Sequence, residues 1–344
     1  MRILAIETSC DETAIALIEA NGGFSGLRFK ILKNLVASQI KVHQPFGGIV
    51  QNLAKREHLK NLPILYKKIQ DSRFKIQDFD LIAVTVGPGL EPALWTGINF
   101  AKNLVKEIKK PIIGVSHLDG HLYSFLLTQK KLEFPAISLL VSGGHTILLL
   151  MEDLTHCKKL GETRDDAVGE AFDKVGRLLN LPYPAGPIIE KLAKKGNSEA
   201  INFPRPMINQ KNYDFSFSGL KTAVLYYIRD NFPRRSALNR HNSAATDIST
   251  AFQAAAFDVL ISKAMRAAQE YGAKSIFISG GVAANKTLQK QFKLRIKNLK
   301  LKIDFLAPQK NLCTDNAAMI AVAGYINHLK GKKRRLMANG NLSI

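Results

Sequence analysis

The chain has 344 residues, and its 49 lysines and arginines against 28 aspartates and glutamates give a formal net charge of +21. Hydrophobic residues make up 46% of it, and the length exceeds the roughly 250–300 residues at which a single core stops growing, so two domains are expected. A run of about 18 apolar residues is absent, which argues against a membrane span. Cys10, Cys157 and Cys313 lie far apart with no CxxC, which argues against a disulfide framework or a zinc knuckle. Glu7 interrupts any signal-peptide apolar stretch, so a cytoplasmic location is expected. The positive surplus points to a polyanionic partner, most often nucleic acid, against the plainer reading of charge kept for solubility. Its clusters, at 106–110, 191–195, 234–240, 290–302 and 330–335, are spread along the chain.

Residues 2–19 read as strand, polar turn, strand. Residues 52–70 carry Leu53, Leu59, Leu62, Leu65 and Ile69 at helical spacing. A strand at 79–86 leads into Gly87-Pro88-Gly89 and a helix over about 93–109, an arrangement that lets backbone approach a ligand, although such a turn is more often only a turn. The next strand, 110–115, runs into GVSHLDGH at 114–121. Ser116 is a good N-cap, and His117 and His121 then share one helical face, one turn apart. Two neutral imidazoles so placed can ligate one divalent ion if a third ligand arrives from elsewhere. An isolated HxxxH is more often a pair of half-buried structural histidines.

Residues 136–151 repeat the strand–bend–strand form of 2–19, with SGGHT as the bend. Both bends concentrate hydroxyls and backbone donors at a tight turn, which suits phosphate oxygens. The repeat predicts a duplicated α/β unit, its two hairpins facing a cleft, as in the actin, sugar-kinase and heat-shock ATPase superfamily. A polar connection at 152–164 precedes a helix through 179, on which Asp166, Glu170 and Asp173 would line one face as a solvated stripe or a binding edge. A Pro/Gly loop at 181–187 follows, then the hydroxyl-rich bend SFSGLK at 216–221. Beyond lie a basic loop at 233–246, an amphipathic helix over 248–271 and a strand at 275–279. GGVAAN at 280–285 is a glycine-lined helix start that could seat a planar group or phosphate. After a strand at 303–307, Asp315 stands beside a helix N-terminus, where the plain reading is an N-cap. The basic tail, 330–344, reads as frayed or partner-bound.

Taken in order, IETSCDET (6–13), GPGL (87–90), HLDGH (117–121), LVSGGHT (140–146), DDAVGEAFDKVGRLL (165–179), SFSGLK (216–221), GGVAAN (280–285) and CTDNAAMIA (313–321) resemble the catalytic subunit of tRNA N6-threonylcarbamoyladenosine synthase, over about 1–325. The resemblance implies the two-lobed, ribonuclease-H-like α/β fold, with lobes at 1–132 and 133–325 and a basic tail at 326–344. It implies an acyltransferase that moves L-threonylcarbamoyl from its adenylate, threonylcarbamoyl-AMP, to N6 of the adenosine beside the tRNA anticodon. Carried over, the metal ligands fall on His117, His121 and Asp315, with the carboxylate coming from the second lobe. The acyl-adenylate site falls on Leu140, Val141, Ser142, Gly143, Gly144, Asp173, Gly186, Glu190 and Asn285. Asp11 and Glu12 are placed near the acceptor amine, where either could take the proton it loses. One divalent metal per subunit is expected, iron by resemblance, with zinc or manganese also suited to nitrogen and oxygen ligands. The implied partners are tRNA, a paralogous subunit on the N-terminal lobe and a small P-loop ATPase, with no membrane. Against the family's usual pattern, this chain has Gln51-Asn52 after GGIV, Glu91-Pro92 after GPGL, and Trp95 in place of a small aliphatic residue. An ATPase or small-molecule kinase of the same superfamily lacks a use for the histidine pair. A metalloprotease needs a general-base glutamate where Leu118 stands, and a non-catalytic scaffold would have lost the metal ligands.

Overall fold

The computed structural model describes residues 1–71, 74, 78–128, 132–232 and 243–344. It divides into two compact units, Met1–Lys131 with Pro308–Ile344, and Leu132–Ala307. The basic loop expected at 233–246 lies largely outside the described residues.

In the first unit, β1 (Arg2–Glu7) and β2 (Glu12–Asn21) form the predicted hairpin, antiparallel, with Ile6 opposite Ile15. Ile3 to Glu7 are all buried. A central strand covered on both faces reads as a continuous apolar run rather than an alternating one. β3 (Arg28–Ser38) adds a largely solvated antiparallel edge. The chain then passes through α1 (Ile40–His43) and α2 (Gln51–Gln70) to β4 (Leu81–Gly87), parallel to β1. α2 buries Leu62, Leu65 and Ile69, while Leu59, expected on the same face, is 56% exposed. α3 (Glu91–Ile108) crosses to β5 (Ile112–Ser116), and α4 (His117–Tyr123) follows without a break. The sheet order is β3-β2-β1-β4-β5.

The second unit begins with the antiparallel strands β6 (Ala136–Val141), β7 (Thr146–Met151) and β8 (Cys157–Glu162). β8 replaces part of the polar connection expected at 152–164; its lysines sit at a sheet edge, where charge is tolerated and discourages further pairing. Helices α5 (Val168–Leu178), α6 (Gly186–Ala193), α7 (Ser218–Asn231) and α8 (Ser243–Glu270) lead to β9 (Ser275–Ser279), parallel to β6. α8 is not amphipathic as expected but buried on most sides, including Lys263, whose ammonium donates to the Asn212 carbonyl at 3.0 Å. α9 (Lys286–Asn298) crosses to β10 (Asp304–Leu306), parallel to β9. The order β10-β9-β6-β7-β8 repeats that of the first sheet from the other edge, with the same strand directions. The repeat glimpsed in two hairpins is therefore a duplicated five-stranded unit.

The chain then returns to the first unit with α10 (Lys310–Cys313) and α11 (Ala317–Leu329). This corrects the expected division, which gave 133–325 to the second lobe and 326–344 to a separate tail. α11 is buried from Ala317 to Asn327 and packs on β1, β2, β5 and α4. A helix apolar on all sides has to be enclosed, and the first sheet offers the face that encloses it. The tail is not frayed: Leu336, Ala338 and Leu342 pack against a core containing Ile6, Val84 and Val86.

Candidate metal centre and nucleotide-binding ring

β5 ends at Ser116 and α4 begins at once. Ser116 holds the expected N-cap position in extended backbone, but its buried hydroxyl makes no capping bond. The i, i+4 spacing brings the rings of His117 and His121 edge to face, centroids 4.7 Å apart. Gly120 lies between them against α11, where a Cβ would come within 2.9 Å of Ile320 Cδ1. Asn316 caps α11 by accepting from the Met319 amide at 3.1 Å, which leaves the preceding Asp315 free of that duty. Asp315 Oδ1 instead lies 3.2 Å from His121 Nε2 and 3.5 Å from His117 Nε2. One atom from each of the three residues falls within 4.8 Å of the others, and all three belong to the first unit. The expectation that the carboxylate comes from the second lobe is thereby corrected.

Behind His117 stands Glu7, at the end of β1 and fully buried. Its Oε2 lies 3.1 Å from His117 Nδ1 and accepts from the Thr85 hydroxyl at 2.7 Å, while Oε1 accepts from the Ser9 amide at 2.6 Å. The Ser9 hydroxyl is a further 3.2 Å from Nδ1. A carboxylate on Nδ1 fixes the tautomer and aims the Nε2 lone pair away from it, here at Asp315. Burial alone would strip a proton from His117, but the charges of Asp315 and Glu7 outweigh it and push the pKa up to about 9. Burial of Glu7 is likewise outweighed, by the His117 charge and hydrogen bond, and its pKa falls. His121 goes down, because burial exceeds the pull of Asp315. The carboxylates of Asp315 and Glu7 thus favour a positive charge at His117. Two imidazole nitrogens and a carboxylate oxygen at this spacing, backed by a buried acid, fit a divalent cation with coordination positions to spare.

Asp11, at the end of the bend between β1 and β2, and Glu12, the first residue of β2, lie in the same unit. A buried polar network supports that bend: the Gln39 amide donates to the Asp11 carbonyl at 2.8 Å, and His58 Nε2 lies 3.0 Å from the Cys10 carbonyl. The two carboxyls share a hydrogen bond, and burial followed by the charges of Asp11 and Asp315 raises the Glu12 pKa well above the usual range. The Gly87–Gly89 turn follows the plainer of its two readings, a turn, and meets its own chain. A Cβ on Gly87 would touch the Asn339 carbonyl, and the Gly340 amide donates to Glu91 Oε1 at 3.2 Å.

The nine residues expected to hold the adenylate all lie in the second unit, joined edge to edge. Gly169, in the first turn of α5, donates to the Ser142 carbonyl at 3.2 Å, and a Cβ there would strike Ser142 and Gly143. On the other side of the bend Gly280 (φ +89°) approaches Val141, whose carbonyl oxygen would lie 2.3 Å from a Cβ. Asn285 closes that turn: its Oδ1 caps α9 and its Nδ2 donates to Gln253 at 2.9 Å. Glu190 Oε1 on α6 accepts from the Lys286 amide at 3.0 Å, and Asp173 Oδ1 accepts from the Ala185 amide at 2.7 Å, just before Gly186. The bend, the 280–285 turn, α6 and α5 thus form a closed ring of contacts. Gly143 and Gly144 stand exposed on it with nothing within 4 Å of either Cβ position. The acidic stripe does not form as expected, because Asp166 precedes α5 and is held by Lys174 and Lys221 at 2.6 and 3.1 Å.

Sequence reasoning missed Glu7, although an acid inside an apolar strand was the available signal. It also missed Asp165, which holds the 216–218 bend through the Ser216 and Ser218 hydroxyls and the Phe217 amide.

Fold and site together define an α/β protein of two like units, with a buried two-imidazole, one-carboxylate centre in one and a glycine-lined ring in the other. The family model for tRNA N6-adenosine threonylcarbamoyltransferase matches residues 30–322. The enzyme of that name from Thermosipho africanus is 46% identical over 336 residues, 96% of each chain. The one from Clostridioides difficile is 42% identical over 344 residues, 99% of this chain and 98% of the other. The chain belongs to this family of tRNA-modifying transferases. Among solved structures, T. kodakarensis HypF superposes with a TM-score of 0.60 at 12% identity, over 96% of this chain. The phosphate- and nucleotide-bound form of full-length HypF gives 0.59 at 14%. This chain spans about half of those two, 48% and 47%, and the likeness is one of fold.

Proposed function

We propose that this transferase takes threonylcarbamoyl-AMP as donor and modifies the adenosine beside the tRNA anticodon, with the second unit holding the donor nucleotide and the first supplying the cation centre. The observation that carries the reading is the His117–His121–Asp315 cluster with Glu7 behind it, since a buried charge centre of this cost is kept for chemistry. The donor is a mixed anhydride, so no protein nucleophile is required. The N6 amine forms a bond to the carbamoyl carbon, the bond from that carbon to the phosphate oxygen breaks, AMP leaves, and the amine gives up one proton.

The open amides around Gly143 and Gly144 suit the phosphate, the 280–285 turn suits the adenine, and Glu190 and Asp173 suit the ribose. Glu12, whose carboxyl is raised well above the ordinary range by burial and by the neighbouring charges of Asp11 and Asp315, is suited with Asp11 beside it to act as the base for the amine. A divalent metal, iron in our reading, would supply a Lewis acid for developing oxygen charge when bound by His117, His121 and Asp315. The duplicated sheets suit the actin-like, sugar-kinase class of fold. An apolar groove of about 540 Å³ on the first unit, walled by Leu59, Pro63, Trp95 and Phe100, suits a paralogous subunit, and a P-loop ATPase would complete a cytoplasmic assembly.

The test is nucleoside analysis of tRNA incubated with the adenylate, metal and partners, with and without chelator. Threonylcarbamoyladenosine that disappears with chelator is the expected result. Its absence despite bound tRNA and donor, or indifference to chelator, removes the reading.

A further inference from the structure

The proposed reaction leaves the most concentrated charge of the second unit without a task. From Lys286 to Ile303 the chain has seven lysines and arginines and no acid. Within α9, Lys286, Lys290, Lys293 and Lys297 are four, three and four residues apart, which places them on one ridge about 16 Å long at 1.5 Å per residue. All four are exposed, as is Lys300 just beyond the helix. The opposite face of α9 buries Leu288, Phe292 and Ile296, so the ridge cannot turn inward.

Elsewhere lysines near acids are paired: Lys174 with Asp166 and Glu170, Lys159 with Glu162, Lys221 with Asp166. Among the described residues no ion pair reaches the ridge. Like charges at i, i+3 and i, i+4 repel and weaken a helix. That standing repulsion is relieved when a polyanion with regularly spaced charge lies along it and releases its counterions. The ridge also starts at a telling place, since Lys286 directly follows Asn285 of the ring and its amide is bound by Glu190.

We propose that the α9 ridge, Lys286–Lys290–Lys293–Lys297 with Lys300, is the surface along which the tRNA phosphate backbone docks in the second unit. The inference rests on the function proposed above, and it assigns to that function a binding surface. Phosphate contacts of this kind position a nucleic acid without reading its sequence.

The experiment measures binding of a tRNA transcript to the full chain across a salt series. It compares wild type, a Lys290→Ala/Lys293→Ala/Lys297→Ala/Lys300→Ala variant, and a charge-matched Lys55→Ala/Lys60→Ala/Lys67→Ala/Lys68→Ala variant on α2, with melting curves for all three. The ridge variant should flatten the slope of log affinity against log salt by about 3 and lose about 10²–10³-fold in affinity near 0.1 M salt. The α2 variant should stay within a few-fold of wild type. Equal losses in both variants, or no loss in the ridge variant, overturn the proposal, as does a ridge that matters for a polyglutamate probe but not for tRNA. At saturating tRNA the ridge variant should still transfer, with KM raised and kcat kept. A wild type that binds through the ridge yet never forms modified adenosine would sink the proposed function and leave this surface standing.

Discussion

The two units repeat one strand order but use it in opposite ways. In the first, the candidate centre is made of charged and titratable side chains sunk into the core: Glu7 and His121 are fully buried and His117 is 5% exposed. In the second, the ring proposed for the donor is built from backbone, with Gly143 and Gly144 open and Gly169 and Gly280 admitted only because they lack a side chain. A buried charge must bring its own counter-charges, so the first unit needs the whole set of Glu7, Thr85, Ser9 and Asp315. A backbone cradle needs only close approach, so the second spends glycine where the first spends carboxylate. The same scaffold thus hosts either solution, and each should fail independently of the other.

The strongest break is His117→Ala or Asp315→Ala. Either should abolish metal retention and lower transfer by about 10³-fold or more, several kcal/mol of barrier, while nucleotide binding by the second unit stays within twofold. Metal analysis, nucleoside yield and nucleotide titration check this together. Next comes Glu7→Gln, which keeps shape but removes the charge behind His117. Metal affinity should fall about 10–100-fold with the melting profile of the loaded protein little changed, measured by competition with a chelator.

A milder probe is pH. The His117 pKa, near 9 when folded and 6.5 ordinarily, is raised. Its contribution to the stability of the metal-free protein is therefore full below about 6.5 and lost as pH rises through about 9. A cation must displace that proton, so metal affinity should climb by about tenfold per pH unit up to about 9 and then level, with about one proton released in calorimetry. The smallest effect is expected from Gly280→Ala. At φ +89° a Cβ is strained and meets the Val141 carbonyl, so the change should cost about 1–3 kcal/mol of stability and weaken nucleotide binding roughly tenfold, with metal content intact. If it disturbed the metal as well, the separation drawn between the units would collapse.

The central hairpins were legible because buried strands leave unbroken apolar runs, as in β1 and β6. The edges were not: β3 and β8 carry lysines that alternate too weakly to stand out from loop. His117 and His121 announce themselves by spacing, and the family motifs point to Asp315, but no local pattern says that α11 folds back on the first sheet. That fact lies in long-range enclosure, and it moved the boundary. Glu7 was visible only as a residue that spoils an apolar segment, when its misfit was the sign of a partner. The tail hid its anchors, Leu336, Ala338 and Leu342, behind Arg334 and Arg335.

Because the first unit is assembled from two separated parts of the chain, its candidate cation centre has a birth order. During synthesis His117 and His121 emerge long before Asp315, and the whole contiguous second unit, 132–307, is made in between. Until the second unit is made, the growing polypeptide holds only the histidine pair of that set. Asp315 follows only after the second unit, so the three-residue set proposed for the cation stays incomplete until that unit has been made.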